Sequence, residues 1–234
     1  MQSGPIGERP KTPQAVFDRV APYYDALNSL LSFGMDKRWR RETVASLNLS
    51  PGVRVLDVAT GTGALAAEIA RATSGTAQVT ACDVNERMLS VARARTTRSM
   101  SVVQLVCCDA AKLPFADESF DAVTLAFAID DMPDRAACIR EIRRVLRVGG
   151  RVALLELSQP DTGILRAVYR GYLRLFRAFG RLGYEHLEQE ILKYRGAAAI
   201  EALLRGGGFL GYRGRSLSGG IARLHVADKG SEPS

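Results

Sequence analysis

The sequence is short of residues that staple a fold or ligate a metal. Its four cysteines, Cys82, Cys107, Cys108 and Cys138, make no C-x-x-C pair, and its only histidines are His186 and His225. That argues against zinc-ribbon and disulfide-scaffold classes. Cys82, Cys107 and Cys108 lie in or beside apolar strand-like runs, so they are expected to be buried free thiols in a reducing compartment, with the cytoplasm as location. No apolar run approaches the roughly 20 residues that span a bilayer. There are no internal repeats, which sets solenoids and propellers aside. The polar, Pro/Gly-rich residues 1–13 lack the apolar centre of a secretory signal and are expected to be a disordered lead-in.

What remains is an ordinary folded chain of 234 residues, 47% hydrophobic and 24% charged, enough for one large domain. After helical pieces over 14–48, strands and helices alternate. Val53–Val58 is a short apolar run between Pro51-Gly52 and a glycine turn, as a buried strand should be. Further strands are expected at Ala77–Cys82, Val102–Cys107, Phe120–Phe127, Arg151–Leu157, Phe209–Leu217 and Gly220–Ala227. Helices are expected between them, one capped by Asn85 and one over Asp134–Leu146 stopped by Gly149-Gly150. The pattern predicts an α/β fold with a doubly wound, mostly parallel seven-stranded sheet. It forms a single domain over 14–228, with a helical cap at 14–50, a helical substrate-side insertion at 161–205 and a flexible tail at 229–234.

In such sheets ligands bind at the carboxyl ends of the strands. Asp57, Asp83 and Asp109 end the first three strands there. Gly61-Thr62-Gly63 follows the first strand and opens a helix, and Gly61-x-Gly63-x-x-Ala66 with Asp83 also fits a dinucleotide fingerprint. Asp57 separates the two readings. A carboxylate beside the turn would repel a pyrophosphate, whereas the ammonium and sulfonium of S-adenosylmethionine favour one. On that reading Gly61, Thr62 and Gly63 floor the methionine part, Asp83 accepts both ribose hydroxyls, and Met88 packs on the adenine. Asp109 and Ala110 receive the adenine amino group, Phe127 and Ala128 wall the sulfonium end, and Tyr24, Ala59 and Val84 complete the cofactor contacts.

The motifs go further. Phe17-Asp18-x-Val20-Ala21-x-x-Tyr24-Asp25-x-x-Asn28 is followed by Ser32-Phe33-Gly34-Met35-Asp36-x-x-Trp39-Arg40. Later come Asp109-Ala110-x-x-Leu113-Pro114-Phe115, Leu155-Glu156-x-Ser158-x-Pro160 and Gly219-Gly220-Ile221-Ala222-x-Leu224-His225. From about Phe17 to His225 the chain resembles the ubiquinone/menaquinone biosynthesis C-methyltransferases, a class I, Rossmann-like methyltransferase family. The resemblance implies methylation at a ring carbon of a prenylated hydroquinone, with S-adenosylmethionine as cofactor. O- or N-methylation of another lipid or natural product is the alternative, with an NAD-dependent oxidoreductase and a non-catalytic binding module behind it. A phenol carbon is a modest nucleophile until its hydroxyl loses a proton, so a base is required.

The chain departs from the family after the fourth strand, where a Phe-Gly-Leu-Arg-Asn-like segment reads Phe127-Ala128-Ile129-Asp130-Asp131. Asp130 or Asp131 is a candidate base; each also fits a helix cap before Asp134. His225 is a third catalytic candidate, or a structural strand residue. In the helical stretch 164–183, Arg166, Arg170, Arg174, Arg177 and Arg181 recur every three or four positions among aromatic and aliphatic residues. They form one stripe, either a membrane-surface element that collects a lipophilic substrate or a solvated face. Despite a net charge of +7, no RNA-recognition motif accompanies them. The expected partners are therefore a lipophilic phenol or quinol, the inner face of the membrane by peripheral contact, and a second copy in a homodimer. No nucleic acid and no metal are expected.

Overall fold

The computed structural model describes residues 21–98, 103–179 and 196–231. Its strands are β1 (Arg54–Val58), β2 (Gln78–Asp83), β3 (Val103–Cys107), β4 (Phe120–Ala126), β5 (Leu146–Leu157), β6 (Phe209–Leu217) and β7 (Ala222–Lys229). Its helices are α1 (Tyr24–Leu31), α2 (Met35–Ser46), α3 (Ala64–Ala72), α4 (Glu86–Arg98), α5 (Arg135–Val145), α6 (Gly163–Phe179) and α7 (Ala197–Gly206). Seven strands among the described residues form one sheet in the order β3-β2-β1-β4-β5-β7-β6. β1 pairs in parallel with both β2 and β4, while β7 runs antiparallel between β5 and β6.

Winding reverses between β1 and β4, so their carboxyl ends splay apart and leave a crevice there. The central strands β1 and β4, and the second half of β5, are apolar on both faces because both faces are covered. Val55, Ala153 and Leu155 point into a core shared with Trp39 and Val44 of α2, Ile69 of α3 and Tyr169 of α6. Their neighbours Leu56, Val152 and Leu154 point the other way, against Ile139 and Ile142 of α5 and Leu204 of α7.

The structure corrects four expectations. The turn Gly149-Gly150 does not stop a helix: α5 ends at Val145 and the chain passes straight into β5. Leu146 already pairs with Phe120, and the register slips before Ala122 meets Arg151, so the glycines sit within a bulged strand. Lys229 does not begin a tail; it closes β7, its Nζ buried and donating to the Leu146 carbonyl at 2.7 Å. Cys107 is exposed rather than buried, because β3 is the sheet edge, and Cys108 is only half-buried. The last strand starts at Ala222, since Ser218–Gly220 form a tight helical turn. Residues 1–13, the helical piece near Val16–Val20, and residues 180–195 of the expected insertion, His186 among them, lie outside the described residues.

Candidate active site

β1 ends in a turn built around Asp57. This side chain is buried, and each of its oxygens accepts a hydroxyl at 2.6 Å: Thr124 from β4 and Thr60 from the turn. Burial pushes its carboxyl up to about 6, although both hydroxyls and the Arg40 charge oppose the shift. Asp57 therefore clamps the two strands that bound the crevice, besides lining a small cavity there.

The two glycines do different work. Gly61 is left-handed (φ 55°), and a Cβ on it would meet no atom within 4 Å; its N–H donates to Asp83 Oδ2 at 2.8 Å. Gly63 (φ 74°) faces α4, where a Cβ would lie 2.9 Å from Ala92 Cβ. Only the first is open toward a ligand; the second lets α3 and α4 approach. Two non-glycine residues, Ala59 (φ 51°) and Phe127 (φ 57°), also adopt left-handed backbone where β1 and β4 end. Such conformations persist when the surroundings impose them, and they gather at binding sites.

The crevice holds a cavity of about 240 Å³. Its lining brings together Tyr24, Ala59, Gly61, Asp83, Val84, Met88, Asp109, Ala110 and Phe127, expected from sequence, with Asn85, Cys82 and Cys108. Asp83 accepts the Gly61 and Asn85 amides at 2.8 Å each, so its carboxylate is fixed and still has acceptor capacity. Asn85 caps α4 as expected, its Oδ1 accepting from Arg87 and Met88. Thr62 lines the adjoining smaller cavity with Asp57; Gly63 lines neither. A fixed carboxylate, a left-handed glycine and apolar Met88 and Val84 in one slot fit a ribose and an adenine.

The cap reaches the turn through Asp25 and Arg95, neither of which the motifs single out as a site residue. Asp25 Oδ1 accepts the Thr62 hydroxyl at 2.7 Å, and its Oδ2 pairs with Arg95 of α4. Arg95 Nε also donates to the Thr62 carbonyl at 2.9 Å. This holds α1, and with it Tyr24, over the crevice. On α2, Asp36 accepts from Ser29 and Ser32 and pairs with buried Arg40. The Arg40 guanidinium lies 5.8 Å from the Phe127 ring centre and lines the smaller cavity. Trp39 Nε1 donates to Ser218 Oγ at 2.9 Å, joining the N-terminal and C-terminal motif blocks.

The three catalytic candidates separate. Asp131 lines the cavity, beside Met132 and Pro133. Asp130 turns away and forms an ion pair with Arg135 at 3.1 Å. Neither caps the following helix; Asp134 does, accepting the Ala137 amide at 2.8 Å. His225 is buried in β7 and absent from the cavity lining; its Nδ1 hydrogen-bonds the Tyr212 hydroxyl at 2.8 Å, and burial lowers it to about 4. Sequence reasoning missed Glu156. It is buried behind the loop, with Oε1 accepting the Ala128 and Ile129 amides at 3.2 Å each. Burial pushes it up to about 8, and the Asp130 and Asp131 charges add to that.

Two arginines of the stripe have described side chains. Arg166 is half-buried and donates to the Pro160 carbonyl, while Arg170 is exposed. The side chains of Arg174 and Arg177, and all of Arg181, lie outside the described residues. Ile164 and Val168 of α6 are 83% and 64% exposed, near half-buried Tyr172, whose ring packs at a tilt on exposed Phe33 with centres 4.3 Å apart. Among the described residues no helix is long and apolar enough to cross a membrane, and no cluster of metal-ligating side chains occurs.

The chain is similar to many known proteins. The profile of the ubiE/COQ5 methyltransferase family matches residues 7–229. A ubiquinone/menaquinone biosynthesis C-methyltransferase UbiE of Geotalea uraniireducens is 36% identical, covering 96% of this chain and 99% of its own. A demethylmenaquinone methyltransferase of Staphylococcus aureus is 36% identical over 92% of this chain and 91% of its own. Among solved structures, a putative S-adenosyl-L-methionine-dependent methyltransferase from Methanococcus maripaludis superposes with a TM-score of 0.72 at 17% identity, covering 98% and 99% of the two chains. A SAM-dependent methyltransferase from Aquifex aeolicus gives 0.63 at 18%, covering 81% and 89%. These two share the fold.

Proposed function

This chain belongs to the ubiE/COQ5 methyltransferase family, and from that premise we propose that it methylates a ring carbon of a prenylated hydroquinone of the demethylmenaquinol kind. It is an S-adenosylmethionine-dependent methyltransferase of quinone biosynthesis with a small lipophilic substrate, and the dinucleotide alternative falls away. The observation that carries the proposal is the crevice in which Asp83, Met88, Phe127 and Asp131 line one cavity.

Bound S-adenosylmethionine supplies a methyl group already activated by its sulfonium. Asp83 accepts the ribose hydroxyls, Asp109 and Ala110 the adenine edge, and Phe127 walls the reacting end. Asp131 takes the phenol proton, which raises electron density on the ring carbon. A methyl donor held there would pass its methyl to that carbon as its own carbon–sulfur bond broke; the ring-carbon proton would leave to water, restoring the aromatic ring, and Asp131 would return its proton to the oxygen. Glu156, behind the loop, keeps Ala128 and Ile129 in place.

The test uses the purified protein, methyl-labelled S-adenosylmethionine and a short-chain prenylated naphthohydroquinone. The expected product carries the label on carbon and keeps both hydroxyls free. Label found only on oxygen, or on an amine acceptor, would move the proposal to O- or N-methylation.

Exposed Ile164 and Val168 on α6, with Phe33 and Leu30 close by and Arg170 on the same helix, support peripheral contact with the inner face of the cytoplasmic membrane, where a prenylated substrate resides. Vesicles with anionic lipid should retain the protein, and replacing Ile164 and Val168 by Asp should release it. A second copy covering the same side is the competing occupant; it would appear in sedimentation as a dimer that the same replacements split.

A further inference from the structure

We propose that Arg40 is the carboxylate-recognising residue of the methyl-donor site, binding the α-carboxylate of the cofactor's amino-acid end. The inference rests on the methyl-donor reading above and names a residue for the end of the ligand that the cavity beside Asp83 does not reach.

A second cavity, of about 40 Å³, opens beside the larger one and shares Tyr24, Ala59, Gly61, Ala126 and Phe127 with it. That exceeds the roughly 10–15 Å³ that one water molecule needs, so the space admits a small charged group such as a carboxylate. Two charged side chains line it, Arg40 and Asp57. An α-amino acid end carries one charge of each sign, and this lining offers one of each. Asp57 already has a hydroxyl on each oxygen, whereas a guanidinium has five donors and Asp36 meets only Nη1 of Arg40. A buried guanidinium with donors to spare, facing a cavity, is a carboxylate site by its chemistry.

The surroundings also fix the group before a ligand arrives. Ser29 and Ser32 each donate to Asp36 Oδ1 at 3.1 Å, Asp36 holds Arg40, and the guanidinium rests near the Phe127 ring. Preorganisation of that kind reduces the ordering cost of binding. The small cavity lies between Arg40 and the Thr60–Thr62 turn, so a ligand whose nucleoside occupies the larger cavity presents its amino-acid end here.

Titration calorimetry with S-adenosylhomocysteine, 5′-methylthioadenosine and the decarboxylated analogue of S-adenosylhomocysteine tests the assignment. Arg40→Met should weaken S-adenosylhomocysteine by about 10- to 100-fold, the range for a charge-assisted hydrogen bond, and leave methylthioadenosine within about twofold. Removing the ligand's carboxylate should cost the parent protein the same factor and cost Arg40→Met nothing. Because Arg40→Met strands buried Asp36, the double variant Asp36→Asn/Arg40→Met repeats the measurement on a neutral pair, and Arg40→Lys should recover part of the affinity. Equal weakening of all three ligands in the variants, or a carboxylate effect that survives without Arg40, overturns the assignment. A parent protein that binds none of the three ligands overturns the methyl-donor reading itself, a result distinguishable from either.

Discussion

The hydroxyl of Thr62 in the glycine turn donates to the carboxylate of Asp25 on α1 at 2.7 Å, so the turn and the cap that covers it share a hydrogen bond. Arg95 pairs with the same carboxylate and also grips the Thr62 carbonyl. Tyr24, one residue away, lines both cavities. Asp25→Ala should therefore free the cap without unfolding the sheet. The pair is more than a third exposed on the Asp25 side, so the stability loss should stay near 1 kcal/mol. Hydrogen exchange should show faster amides in α1, and cofactor affinity should fall. Unchanged exchange in α1 would show that the cap is held by its apolar contacts alone.

The glycines of the turn should respond oppositely to alanine. At Gly61 the added Cβ meets nothing in the protein, so only the left-handed backbone resists, at about 1–2 kcal/mol; the methyl group protrudes where a ligand must approach. At Gly63 the Cβ falls 2.9 Å from Ala92 Cβ, adding an overpacking cost of about 1–3 kcal/mol to the same backbone term. Denaturant melts should rank Gly63→Ala as the less stable, while titration should rank Gly61→Ala as the weaker cofactor binder. A reversal of either order would separate the glycines from these roles.

The centre of the sheet was legible because β1 and β4 carry apolar residues on both faces, and because β1, β2 and β3 lead into an acid or a glycine turn. Val55 and Leu56 serve opposite cores, and the run that contains them reads as buried without any periodicity. The side of the site contributed by β1, β2 and β3 was legible too, since each of those residues directly follows or ends a strand. Arg40 was not. It belongs to a recognisable block, but only the packing of α2, with Trp39 bonded to Ser218 far along the chain, carries it to the turn. Glu156 was hidden for a similar reason: its partners are backbone amides of the loop after β4, which no side-chain pattern announces. Asp130 and Asp131 are adjacent in sequence, and only the short helical turn Ile129–Asp131 sends them different ways.

Glu156 should make the protein less stable as pH rises. Its folded value, pushed up to about 8, lies above the ordinary 4.5, so the folded state holds its proton more tightly than the unfolded chain does. The resulting stabilisation is full below 4.5 and is lost as pH climbs through about 8. Glu156→Gln keeps an acceptor for Ala128 and Ile129 and cannot ionise. Its melting temperature relative to the parent should therefore rise across that window. A difference that is flat with pH would mean that Glu156 is ionised throughout and is solvated by something other than those two amides.

Asp130 and Asp131 give the sharpest division of roles in the reaction. The first is tied to Arg135 and faces away from the cavity, so Asp130→Asn should lose about 1–3 kcal/mol of stability by leaving the Arg135 charge without its carboxylate, with turnover retained in the folded protein. The second lines the cavity where a phenol would sit; Asp131→Asn keeps its shape and removes the base, and turnover should fall by about a hundredfold to ten-thousandfold with cofactor affinity unchanged. The two measurements check each other, because a general disturbance of the loop would lower turnover in both variants. If Asp131→Asn turns over as the parent does while Asp130→Asn does not, the loop must rearrange on binding, with Arg135 releasing Asp130 toward the acceptor.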